Sequence, residues 1–279
     1  MIATRVSHRS RSTLSIAGKA LFVAAVVVLD IPVLTVIVDA FQPSEDVSAH
    51  RIIPRRLTLS NFSSLGQLPF GRYVLNSFIV AGGGTVLALG GALFAGYAMS
   101  RFRRRSVNAY GHVLLAVQMV PTILTLLPLF LLMRDLKLIN TYWSLILIYG
   151  ALLLPFSSWI ARAFFDSIPK ELEEAGWVDG CTRRAALRRI VAPLAGPGLV
   201  SIAILSFITA WNEYLLASVF ISGPDMTVSV GLQTFTEQLG PIGGAVMAGA
   251  AIAMVPSLAI YLIFQKYFVS GALAGAVKG

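Results

Sequence analysis

The sequence predicts an all-α membrane protein with six transmembrane helices and a short charged helix between the fourth and fifth. Three observations carry that prediction. First, of 279 residues 56% are hydrophobic and only 13% are charged, whereas an ordinary soluble domain carries about 25% charged residues. Second, six stretches meet the roughly 20 mostly apolar residues needed to cross about 30 Å of hydrocarbon. Third, the lysines and arginines between those stretches are strongly biased to one side.

The stretches run over about 17–40, 73–99, 108–133, 141–163, 195–221 and 242–264. The first follows Arg5, Arg9 and Arg11. Its apolar run exceeds the roughly 7–15 residues of a signal core, so an uncleaved span is expected rather than a cleaved leader. The second contains Gly82-Gly83-Gly84, Gly90-Gly91 and Gly96. Small residues let helix backbones approach closely where lipid supplies no hydrophobic driving force between helices. The third carries Pro121 and Pro128, the fourth Pro155 and the sixth Pro256. Each proline removes a backbone donor and bends its helix. Bent, close-packed helices suit a bundle around a path, although ordinary bundle packing without a path fits the same pattern.

One side of this arrangement holds Arg5, Arg9, Arg11 and Lys19, then Arg101 and Arg103 to Arg105. It also holds Arg162, Lys170, Arg183, Arg184, Arg188 and Arg189 in the charged loop, and Lys266 and Lys278 at the end. The other side holds Arg51, Arg55, Arg56, Arg72, Arg134 and Lys137. The excess places both termini and the charged loop in the cytoplasm. The net charge of +9 raises nucleic acid as a partner. The basic residues, however, sit in short clusters beside apolar runs with no basic face interleaved with aromatics, which fits anionic lipid and topology control instead.

Several chemistries find no residues. Cys181 is the only cysteine, so no disulfide framework and no cysteine-based metal site is expected. His8, His50 and His112 lack metal-ligand spacing. No Gly-x-x-x-x-Gly-Lys-Ser/Thr run occurs, so the chain has no P-loop, and no nucleophile–base arrangement stands out. No cofactor is expected on this chain.

The charged break spans 164–194. Pro169 suits a helix start, and Glu171, Glu173 and Glu174 would lie near the positive end of that helix dipole. Gly176 can end the helix, and Gly180 permits a tight turn. A second helix is expected from about Thr182 to Val191, with Pro193 and Pro197 marking entry into the fifth span. Physics alone leaves two readings open, a rigid peg on the membrane surface or a solvated loop.

Here the residues carry a resemblance. Glu174-Ala175-Gly176, then Gly180, Ile190 and Pro193 resemble the EAA loop of binding-protein-dependent ABC importer permeases, with Gly176 in place of the second Ala and Ala192 in place of Leu. Leu59-Ser60-Asn61-Phe62, Asn76-Ser77, Gly96-Tyr97-Ala98-Met99-Ser100-Arg101-Phe102, Trp211-Asn212-Glu213-Tyr214 and the end Phe264-Gln265-Lys266 to Gly279 extend it over nearly the whole chain. The pattern is similar to the six-span, maltose-type carbohydrate-uptake branch. Such a resemblance implies a cytoplasmic coupling helix between spans four and five. Its partners would be a second homologous permease, two ATP-binding subunits that hold ATP and Mg, an extracytoplasmic solute-binding protein and a sugar. The loop would dock on one ATPase through Glu173 or Glu174 as ion-pair candidates, with Ala175, Gly176, Asp179 and Gly180 beside them. Trp177 would add apolar contact there or pack on the bundle, and Lys278 and Gly279 would reach the ATPases. The implied location is the bacterial inner membrane.

The implied division is a tail over 1–16, a permease domain over 17–268 and a tail over 269–279. A charge at mid-span costs roughly 2.5–3.5 kcal/mol on insertion scales, so Asp30, Asp39 and Glu213 should face protein or water. Gln118, Trp211, Asn212 and Glu213 are the candidates for a sugar path, and the same residues would equally serve to tie helices together. The loop from about Ser222 to Pro241 should face outward, towards the solute-binding protein. A small ion-coupled secondary transporter that uses Glu213, or a pore-forming protein without energy coupling, are the competing readings.

Overall fold

The computed structural model describes residues 16–49, 53–239 and 243–276. They form helices and turns, and no strand occurs among them. In chain order the helices are α1 (Ile16–Ala40), α2 (Ser44–Ser48), α3 (Ser60–Gly66), α4 (Phe70–Arg101), α5 (Arg105–Gln118), α6 (Thr122–Asp135) and α7 (Tyr142–Asp166). Then come α8 (Glu171–Val178), α9 (Arg183–Ala186), a π-helical turn (Leu187–Val191), α10 (Ala192–Leu194), α11 (Gly196–Trp211) and α12 (Leu215–Phe220). A 3₁₀ turn (Gly223–Asp225), α13 (Val228–Leu239) and α14 (Gly244–Ala276) complete the described residues. Residues 269–276, expected as tail, continue α14; the run Val269-Ser270-Gly271-Ala272-Leu273-Ala274-Gly275-Ala276 contains no proline to stop it.

Among the described residues, four unbroken helices are long and apolar enough to cross a membrane: Gly18–Ala40, Phe70–Arg101, Tyr142–Asp166 and Gly244–Gln265. The six expected spans are reached only when two bent pairs each count as one crossing. The stretch expected as a single bent third span is two helices, α5 and α6, at 102° to one another. Pro121 causes the break. It stands at φ −59°, ψ 130°, lacks an N–H for the helix ladder and drives Val120 away from α geometry. Pro128, by contrast, lies inside α6. The expected fifth span, 195–221, is also interrupted: α11 stops at Trp211 and the chain restarts as α12 at Leu215. The second helix of the charged loop meets α11 at a 76° bend.

The spine of the molecule is α4 packed along α7. A Cβ added to Gly84 would come within 2.7 Å of Tyr149 Cβ, one on Gly91 within 2.4 Å of Leu154 Cδ1, and one on Gly96 within 2.6 Å of Ala161 Cβ. These glycines let the two backbones touch, whereas Gly82 and Gly90 face open space. Helix α11 crosses both spine helices, α14 joins α11, and α1 packs on α14. Along α1, Leu21, Phe22 and Leu29 are largely exposed, as expected of a helix that meets lipid or another apolar surface.

Two apolar cores result. One lies at the α8 end and gathers Ala92, Tyr97, Ala161, Phe165, Leu187, Val191 and Ile202. The other gathers Phe70, Tyr73, Leu145, Tyr149, Trp211, Phe220 and Phe235.

Candidate functional site

Helix α8 starts at Lys170, whose carbonyl accepts from the N–H groups of Glu173 and Glu174, so Pro169 lies just before the cap rather than at the first helical position. Its end is a Schellman closure. Cys181 N–H donates to Gly176 O (2.9 Å) and Gly180 N–H to Trp177 O (3.1 Å), with Gly180 at φ +85°. The helix therefore ends at Val178, with Asp179 as its cap and Gly180 turning the chain away, and Gly176 lies inside it. Gly176 is buried, and a Cβ there would meet Ile190 Cδ1 at 2.5 Å. The glycine that departs from the EAA pattern thus lets the returning segment pack against α8. Thr182 caps α9, its hydroxyl accepting from Ala185 N–H (3.3 Å).

The three glutamates of α8 have different surroundings. Glu173 is buried, at 1% exposure. Its Oε1 accepts from Arg101 Nε at 2.5 Å and its Oε2 from Tyr97 Oη at 2.7 Å. Arg101 also donates to Ile168 O (3.0 Å) and to Ser100 Oγ (2.9 Å), and Ser100 donates to Asp166 Oδ1 (2.6 Å). Both members of the ion pair are thus hydrogen-bonded on several sides, which a buried pair needs to offset its desolvation. Glu173 was an ion-pair candidate for a partner subunit. Its carboxylate is committed instead to this chain's own Arg101, because the helix turn carries position 173 to the inner face. Glu171 and Glu174 face outward. Beside them Leu172 (44% exposed), Ala175 and Val178 (88% exposed) make an apolar strip. Asp179 caps the helix C-terminus and is exposed. Trp177 lies under the Arg183 guanidinium, 5.2 Å from its ring centre, while Phe102 lies 5.6 Å from the same group.

The proposed path residues divide into two groups. Gln118 and Glu213 line one cavity of about 310 Å³ with Thr122, Tyr149, Phe156 and Thr209. Glu213 accepts from Tyr149 Oη (2.8 Å), Leu216 N–H (2.9 Å) and Ala217 N–H (3.1 Å). The carboxylate thus caps α12 and ties the interruption between α11 and α12 to α7. Trp211 and Asn212 line a separate, largely apolar cavity of about 430 Å³ between α1, α11, α13 and α14. Trp211 is 2% exposed and donates Nε1–H to Ala253 O (3.1 Å), and Asn212 donates to Ile208 O (2.8 Å). Lys278 and Gly279 lie outside the described residues.

The other motif residues brace the end opposite α8. Asn76 donates to Pro224 O (3.1 Å) and Met226 O (2.9 Å) and accepts from Tyr142 Oη (2.8 Å). Ser77 Oγ accepts from Val228 N–H (2.7 Å). Arg72 pairs with Asp225 at 2.8 Å. Buried Asn61 donates to Ala40 O (3.0 Å) and Gln42 O (2.7 Å). Sequence reading placed Tyr97 and Tyr149 on spans and Arg101 among the basic residues just past the second span, but assigned none of them a structural partner. Arg101 and Tyr97 stood in a quoted motif, yet Arg101 bonds a partner 72 residues away, which no local pattern reveals.

Comparison with known proteins follows the same lines. The profile of the binding-protein-dependent transport system inner membrane component matches residues 88–272. The chain is 37% identical over 228 residues to the sulfoquinovosyl glycerol transport system permease protein of Agrobacterium fabrum, covering 81% of this chain and 80% of that one. It is 35% identical over 252 residues to the diacetylchitobiose uptake system permease protein of Streptomyces coelicolor, covering 89% and 91%. Its fold is similar to that of a chain from a bacterial ABC transporter involved in alginate import, with a TM-score of 0.76 at 23% identity over 91% of this chain and 98% of that one. The profile match takes in α8 and most of the helical bundle, and with it the chain belongs to the family of binding-protein-dependent transport system inner membrane components.

Proposed function

We propose that this chain is the transmembrane permease subunit of an ATP-driven, binding-protein-dependent sugar importer. It forms half of the translocation path with a second homologous permease. The observation that carries this reading is the outward face of α8, where Glu174 stands beside the apolar strip of Leu172, Ala175 and Val178. A helix that exposes apolar side chains beside a carboxylate, while its inner face is fixed by a buried ion pair, is built to be gripped by a soluble partner. With no P-loop in its sequence, the chain takes its energy from two ATP-binding subunits that hold ATP and Mg and contact α8 and the tail at Lys278 and Gly279. The permease itself is not an enzyme. The basic-residue bias supports an orientation with both termini and α8 in the bacterial cytoplasm, and an extracytoplasmic solute-binding protein then delivers the sugar to the opposite end.

A sugar as cargo is supported by relatives whose names refer to sulfoquinovosyl glycerol and diacetylchitobiose. The cavity lined by Gln118, Thr122, Thr209 and Glu213 supplies hydrogen-bonding groups of the kind that sugar hydroxyls need. Alternating access is then a two-state change biased by nucleotide on the partners. Uptake by vesicles containing the assembled complex tests the reading. Transport should require both ATP and the solute-binding protein, and transport that persists on an ion gradient alone would establish the secondary-transporter alternative instead.

A further inference from the structure

The polar cluster at the inner face of α8 makes no contact with a sugar path, and its outward neighbours suffice for docking a partner. We propose that Arg101 and Glu173 are positioning residues that join α8 to the end of α4, so that a displacement imposed on α8 is delivered into the α4–α7 spine. The inference rests on the importer reading above and assigns the route by which force enters the bundle.

Helix α8 is joined covalently only to α7 on one side and to α9 on the other, through Ser167–Lys170 and Asp179–Thr182. A load on α8 would otherwise be spent in bending those turns. The Arg101–Glu173 pair bridges to α4 directly. Tyr97 holds the second carboxylate oxygen, and Arg101 holds Ile168 O inside the α7–α8 turn. The same arginine reaches Asp166 on α7 through Ser100. One guanidinium thus fastens α4, the end of α7 and α8 at a single point. Gly96, one turn away, brings α4 and α7 into backbone contact beside Ala161. A separate observation points the same way. The Arg183 guanidinium lies between the rings of Phe102 and Trp177, so α9 and α8 are also clamped to the residue that follows α4. Close-packed elements joined in this way transmit displacement rather than absorbing it.

The test uses the whole transporter, reconstituted in vesicles with its ATPases and solute-binding protein. Uptake and ATP hydrolysis are measured on the same sample. Glu173→Gln keeps the volume and the Tyr97 contact but removes the charge; Arg101→Met removes the other partner. Because Glu174 and the outer face are untouched, the ATPases should still co-purify. Uptake should fall by about tenfold or more, within the usual range for loss of a coupling between sites, while ATP hydrolysis persists and no longer responds to the solute-binding protein. Arg101→Lys, which retains the charge, should recover part of the uptake. A third variant carries Arg101→Cys with Glu173→Cys in a Cys181→Ser background, and a short thiol-to-thiol crosslinker bridging the pair should restore coupling. Unchanged uptake per ATP in both Glu173→Gln and Arg101→Met would overturn the proposal. So would loss of ATPase co-purification that the crosslinker does not reverse, since that would make the pair a folding element only. If the unmodified complex shows no ATP-driven uptake, the importer reading fails instead, and the two failures are distinct.

Discussion

The carboxylate of Glu213 is the most revealing group to remove, because the structure gives it a holding role in the middle of the bundle. Its three acceptor contacts come from Tyr149 Oη, Leu216 N–H and Ala217 N–H. Glu213→Ala removes a helix cap, worth about 1 kcal/mol. It also leaves the Tyr149 hydroxyl, on a residue 3% exposed, without its acceptor, at about 1–3 kcal/mol. The two effects together predict a loss of about 2–4 kcal/mol. Tyr149→Phe alone should cost about 1 kcal/mol, since Glu213 keeps both backbone donors. In the double variant the orphaned hydroxyl is gone, so it should be more stable than Glu213→Ala. Equilibrium unfolding of the four proteins in mixed micelles closes the cycle. The reasoning is refuted if Glu213→Ala shifts stability by less than about 0.5 kcal/mol, the size of an ordinary surface change, or if adding Tyr149→Phe recovers nothing. A variant of normal stability that has lost only transport would leave Glu213 its place on the sugar path and remove its holding role.

Other substitutions read out separate joints. Gly96→Ala places a Cβ within 2.6 Å of Ala161 Cβ and 2.9 Å of the Arg162 backbone nitrogen; it should destabilise the bundle by about 1–3 kcal/mol, measured by thermal unfolding. Gly180→Ala meets no neighbour but must hold φ +85°, so it should cost about 1–2 kcal/mol from backbone strain alone. Gly176→Ala gains about 1 kcal/mol of helix propensity and loses it to overlap with Ile190 Cδ1. Pairing it with Ile190→Val should therefore be less destabilising than the sum of the two single changes. Asn61→Ala leaves Ala40 O and Gln42 O without their side-chain donor and should lower stability by about 1–3 kcal/mol, read by the same unfolding measurement.

Much of the architecture was legible because apolar length is a strong signal. The stretches read at 73–99 and 141–163 are α4 and α7, with ends a few residues apart. The glycine-rich second span was correctly read as a close-packing face. Composition could not tell which glycines face α7, and only Gly83, Gly84, Gly91 and Gly96 do, while Gly82 and Gly90 do not. That depends on helix phase relative to one neighbour. Pro121 announced a bend, but its size, 102°, follows from how α5 and α6 pack and has no local signature. The charged loop shows the same limit. Its spacing marks a helix and a turn, yet Glu173 and Glu174 are adjacent and chemically identical. Their opposite fates depend on Arg101 at the end of another helix. Trp211 and Glu213 stand two residues apart in one motif, but the interruption of the helix at 212–214 sends them to different cavities.

The claim at the centre of this account is that energy enters through the outward face of α8. Glu174→Lys tests it most directly, because it reverses one exposed charge and leaves the buried Arg101–Glu173 pair in place. Membrane insertion, ATPase co-purification and ATP-driven sugar uptake would be measured on the same preparation. The account predicts a fully inserted chain that has lost either its ATPase or its uptake. An intact complex importing sugar at the unmodified rate would contradict it.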